Sequence, residues 1–104
     1  MKPEDLKIGG YYYFEDNEGL SGKTEWCVLR YKEQLPPTSD EPWYDYLFDL
    51  LATNGYESNT PASFNSLGVK NMCPISEEDF PLYLHGRYTS PEFVRIVKEY
   101  GSLL

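Results

Sequence analysis

Positive charge is scarce in this chain. Nine Lys and Arg stand against seventeen Asp and Glu over 104 residues, for a formal net charge of −8, and no basic residue falls between Lys32 and Lys70. A surface of that sign repels phosphate, so direct nucleic-acid binding is not expected. Histidine is scarcer still: any Ser-His or Cys-His arrangement would have to use His85, which sits beside Gly86 and reads as a turn residue. The two cysteines, Cys27 and Cys73, lack metal-ligand spacing, and there is no glycine-rich phosphate loop. We therefore expect no metal, no cofactor and no enzyme activity. No charged opening leads into an apolar segment, and no apolar run is long enough to span a bilayer. These absences predict a cytoplasmic protein with both thiols reduced and buried. A disulfide would require the strands carrying them to be neighbours.

Aromatic residues are plentiful, at 16%, with ten tyrosines among them. That much ring area supports one core, and the length suits one domain. The run Trp43-Tyr44-Asp45-Tyr46-Leu47-Phe48-Asp49-Leu50-Leu51 is the centre of the pattern. As a strand it places Tyr44, Tyr46, Phe48 and Leu50 on one face and Trp43, Asp45, Leu47 and Asp49 on the other. A helix also fits, with Tyr44, Leu47, Phe48 and Leu51 on one stripe and Asp40 as its cap. The aromatic loading, the proline-rich connector before it and Asn54-Gly55 after it favour the strand, with a tight hairpin turn at Asn-Gly.

Around this run, Pro3-Glu4-Asp5 suits a helical turn, with Leu6 and Ile8 plugging a core. Tyr11 to Phe14 reads as the first strand and Thr24 to Glu33 as the second, with Cys27, Leu29 and Tyr31 on one face and Trp26, Val28 and Arg30 on the other. Tyr56 and Phe64 would anchor an irregular return, and Leu67 to Cys73 a short strand ended by Pro74. Ser76-Glu77-Glu78-Asp79 has the composition of a capped turn, with Phe80 as its apolar anchor. The clearest helix comes last. Ser90 caps it, Pro91 and Glu92 open it, and Phe93, Ile96, Val97 and Tyr100 form its stripe, with Gly101 as a stop. The apolar set Trp26, Val28 and Leu47 is where this helix should dock.

The order of these signals, with Ile8-Gly9-Gly10 before an aromatic strand, Trp26-Cys27-Val28-Leu29-Arg30, the 46–55 run and Leu67-Gly68-Val69 through Pro74, resembles the small SH3-like barrel proteins of bacteria and phages that have no assigned role. The resemblance spans roughly residues 5–75 and leaves 76–104 as a capped turn, short strand and C-terminal helix. It implies a mostly β fold with a C-terminal α-helix, an α+β class built on a small SH3-like β-barrel. Peptide-binding members of that fold use an aromatic groove, for which Tyr11, Tyr12 and Tyr13 are candidates, or these rings pack as core and rim.

Fold alone assigns no function. Asp45 and Asp49, two pleats apart in a strand, are too far apart to share a proton or a metal. The remaining candidate is an acidic, aromatic face of Glu41, Trp43, Asp45 and Asp49 that docks on a basic patch of a partner protein. Such a module would be an accessory regulator or inhibitor, with mimicry of DNA phosphates as a special case. The alternative is a structural or assembly protein that forms a homodimer through the terminal helix or a strand edge.

Overall fold

The computed structural model describes residues 1–16, 24–55 and 62–102. Its described residues form six strands, β1 (Tyr11–Asp16), β2 (Glu25–Leu35), β3 (Asp45–Thr53), β4 (Ala62–Phe64), β5 (Met72–Pro74) and β6 (Tyr88–Thr89), with helix α1 (Ser66–Lys70) before β5 and helix α2 (Pro91–Ser102) after β6. Two stretches of 3-10 helix, Pro3–Asp5 and Glu77–Tyr83, complete it. All pairings are antiparallel, in the order β4-β3-β2-β1-β5, and β6 joins β3. The mostly β, α+β class with a C-terminal helix stands. The sheet does not close into a barrel, because β4 and β5 are its two ends.

Both faces of the sheet are covered, as the apolar runs in β2 and β3 require. On one face Tyr12, Leu29, Tyr31, Tyr46, Phe48, Leu50, Val69 and Met72 are buried together, with Leu6, Phe14, Cys27 and Phe64 packed against them. On the other, Val28, Leu51 and Ala52 meet Phe80, Phe93 and Val97. The run at 43–51 is a strand from Asp45 onward, and Tyr46, Phe48 and Leu50 face the first core as the alternation predicts. Alternation then breaks. Val28 lies opposite Ala52 and Leu29 opposite Leu50, so Leu51 is an extra residue in the ladder. This irregularity lets Leu51 and Ala52 both face the second core. The helix therefore docks on Val28 and Trp26 as expected, with Leu51 and Ala52 as its β3 partners in place of Leu47.

Helix α2 begins where its cap predicts: the Phe93 N–H donates to Ser90 Oγ at 3.0 Å. It continues through Gly101 to Ser102, so that glycine does not stop it. Phe80 from the 3-10 helix wedges between sheet and helix, its ring centroid 4.8 Å from that of Tyr11 and 5.1 Å from that of Phe93. Gly86 has to be glycine for space. A Cβ there would lie 2.6 Å from the Thr53 carbonyl oxygen and 2.9 Å from the Trp26 ring.

Several local expectations are corrected. Asn54-Gly55 does not make a two-residue hairpin, because Thr53, beside which its return strand would lie, pairs with Tyr88 of β6. Gly9, with φ 81°, is the one described residue with positive φ, whereas a type I′ turn requires it at both central positions and a type II′ turn at the first. Asn54 instead ties strand ends together: its Oδ1 accepts from Trp26 N–H at 2.7 Å and its Nδ2 donates to the Thr24 carbonyl at 3.1 Å. Leu67 to Cys73 is not one strand. Asn65 caps α1 by accepting from Gly68 N–H, and β5 starts at Met72. Ile8 plugs nothing and is 79% exposed. The expectation for Tyr56 lies outside the described residues.

Candidate functional site

The sequence candidates lie at the entry to β3, and the structure divides them. The chain turns there on Thr38, whose N–H donates to the Glu41 carbonyl and whose hydroxyl accepts from Glu41 N–H. Trp43 and Tyr44 follow, 50% and 51% exposed. A hydrogen bond to Asp45 and the repulsion between the two carboxylates raise the Glu41 pKa above its ordinary value. Two acids are thus held together beside two rings left in water.

Asp49 belongs to a different arrangement. Arg30 lies opposite it on β2, and its Nη2 donates to Asp49 Oδ2 at 3.3 Å and sits 2.7 Å from Glu92 Oε1 on α2. Burial opposes the Arg30 charge, yet its bonds to Glu92 and Asp49 prevail and raise its pKa. The guanidinium ties the first turn of α2 to the sheet. It also neutralises part of the face on which Asp49 had been placed.

Behind Tyr44 lies a groove of about 500 Å³, within the range of small-ligand and peptide pockets. Tyr31 and Tyr46, both largely buried, and Leu6 make its apolar surface, while Tyr44, Ile8 and Glu4 stand around it, with Pro3 and Gln34 completing the lining. The backbone holds this corner: Gly9 N–H donates to the Tyr31 carbonyl and Tyr31 N–H to the Gly10 carbonyl, fixing the N-terminal segment along β2. Sequence reasoning missed the groove because it placed Ile8 in a core and sought the aromatic surface in Tyr11, Tyr12 and Tyr13. Those three rings are committed to packing. Tyr12 is 4% exposed, with its hydroxyl accepting from Lys7 N–H; Tyr11 meets Phe80, and Tyr13 meets Tyr83. The available signal was Tyr44, the first member of the β3 row, which lies just before the strand begins.

The remaining chemistry is dispersed. His85 is exposed, its ring centroid 6.4 Å from that of Trp26. Cys27 and Cys73 are both free, on strands that flank β1 on either side. Cys27 packs against the first core, and burial pushes its thiol up to about 12. Cys73, expected to be buried, is exposed because it sits on edge strand β5. Among the described residues no three His, Cys, Asp or Glu side chains gather to hold a metal, and no helix is long and apolar enough to cross a membrane.

Fold and site together define a small α+β protein with a six-stranded antiparallel sheet and an aromatic, acid-flanked corner. Among known proteins no family model, no curated protein and no solved structure matches the chain.

Proposed function

We propose that this protein is a small acidic interaction module that docks on a basic patch of a partner protein. The observation that carries the reading is the entry to β3, where Trp43 and Tyr44 are half exposed beside the adjoining carboxyls of Glu41 and Asp45. Exposed rings next to unpaired like charges suit a hydrophobic centre with an acidic rim, and a lysine or arginine from the partner relieves the repulsion. Asp49 contributes less, since Arg30 already answers it. Free thiols at Cys27 and Cys73 are in keeping with a cytoplasmic setting. The strand order β4-β3-β2-β1-β5, with a helical turn before β5, supports the SH3-like reading as an opened-out version of that barrel, and with it a bacterial or phage accessory role as regulator or inhibitor.

The test is capture of partners from lysate on the tagged protein, washed in steps of rising salt, beside a Glu41→Gln/Asp45→Asn variant. Retention of a partner at low salt, with loss at high salt and in the variant, is expected. A partner held equally well by the variant overturns the assignment of this face. Self-association is the second reading. Phe93 and Val97 of α2 are already buried against its own sheet, which leaves the strand edges as the route to a dimer. A concentration-dependent, salt-insensitive dimer would replace the first reading.

A further inference from the structure

We infer that the groove between the N-terminal segment and the start of β3 binds an extended peptide segment of a partner, seating an aliphatic side chain on Tyr31, Tyr46 and Leu6 with a lysine or arginine beside Glu4. This rests on the interaction-module reading above and gives that partner a chemistry.

Four observations lead to it. The groove holds about 500 Å³, room for side chains rather than for a single water. Around it the chain leaves Ile8 79% and Tyr44 51% exposed, costly apolar surface that no described element covers. Tyrosine gives a large, rigid contact area for little loss of side-chain freedom, which suits recognition of protein segments. The lining also carries the Gln34 amide and the hydroxyls of Tyr31, Tyr44 and Tyr46, groups able to hydrogen-bond the main chain of an extended segment.

Charge chooses the occupant. The single charged side chain among the described lining residues is the Glu4 carboxylate, and Glu41 and Asp45 follow along the chain on either side of Tyr44. A second copy of this chain, with its net charge of −8, would bring like charge to that corner. A basic and aliphatic segment from another protein brings the opposite sign.

The probes are three pools of N-acetylated decapeptides with one fixed leucine, flanked by two lysines, two glutamines or two glutamates. Each is titrated into the full-length ¹⁵N-labelled protein, with amide shifts followed by NMR. The lysine pool should shift resonances of residues 4–8, 31–34 and 44–46, and the glutamine pool should bind about three-fold more weakly. An Ile8→Ser/Tyr44→Ala variant should lose about ten-fold in affinity while keeping its spectral dispersion, since both side chains are exposed and their loss leaves the core intact. Glu4→Gln should remove the preference of lysine over glutamine. The inference is overturned if no pool shifts the groove resonances at about 1 mM, the weak end of useful affinity, if shifts map elsewhere, or if the resonances move with protein concentration alone, which would make a second copy the occupant. Its failure is distinct from failure of the module reading. A lysate partner lost on Glu41→Gln/Asp45→Asn but kept on Ile8→Ser, which lines the groove and lies outside the acidic face, leaves that face standing and the groove without a role.

Discussion

Truncating Phe80 to alanine should detach α2 from the sheet more effectively than any change in the helix surface. Phe80 is fully buried and lies between β1 and α2, edge-on to Tyr11 and tilted against Phe93. A Phe→Ala change in a core costs about 3–5 kcal/mol, and loss of two ring pairs places this site toward the upper part of that range, at about 4 kcal/mol. A domain of this size has about 5–15 kcal/mol of stability in all. With a urea slope of about 2 kcal/mol/M, the midpoint should fall by about 2 M. The assay is urea unfolding in a Trp43→Phe background, so that fluorescence reports Trp26, which packs with the second core. Leu82→Ala, two residues along and 60% exposed, is the control and should change stability by less than about 0.5 kcal/mol. A midpoint shift below about 0.5 M for Phe80→Ala, or an equal shift for Leu82→Ala, would refute the view that this ring holds the helix.

Removing the α2 cap with Ser90→Ala should cost about 1 kcal/mol in the same assay, since Phe93 N–H loses its acceptor; no measurable change would mean that the cap bond is not formed in solution. With a thiol-reactive disulfide reagent at pH 8, Cys73 should react at once and Cys27 only on unfolding, because Cys73 is exposed while burial holds the Cys27 thiol protonated up to about 12. The sign for stability follows. The folded Cys27 pKa lies above the unfolded one, so its contribution is complete below about pH 8.5 and is lost as pH rises toward 12; Cys27→Ala should make the fall in urea midpoint shallower without abolishing it, because burial also raises the pKa values of Tyr13, Tyr31 and Tyr83. Gly86→Ala should destabilise by at least about 1 kcal/mol, because the added Cβ meets the Thr53 backbone rather than a side chain that can move.

Long periodic elements were legible from residues alone. The Cys27/Leu29/Tyr31 and Trp26/Val28/Arg30 faces of β2, the β3 row and the Ser90 cap all follow from period and local chemistry. What escaped depended on neighbours. Leu67-Gly68-Val69 reads as strand by apolar content, yet Asn65 captures Gly68 N–H and starts a turn of helix there. Asn54-Gly55 carries the hairpin signature, but the Asn54 side chain finds Trp26 N–H and the Thr24 carbonyl across the sheet, bonds that no local rule anticipates. Of the candidate site, Glu41 and Trp43 are exposed with Asp45 half-buried beside them, whereas Asp49 is claimed by Arg30, which also binds Glu92, about 60 residues further along the chain. The groove needed the path of the N-terminal segment, which sequence does not trace.

The outer edge of β3 is finished in pieces. Phe64 to Ala62 pair with Tyr46 to Phe48, the Leu51 carbonyl accepts from Ser90 N–H at 2.8 Å, and Thr89 and Tyr88 pair with Ala52 and Thr53. Two of those three pieces belong to the segment that leads into α2. A chain cut before Tyr88 would therefore lose a helix and, with it, half the hem of β3, baring Leu51 and Ala52 together with their ladder groups. The C-terminal segment is in this sense a guard against the chain's own kind, and a truncated form should gather into sheets with its copies.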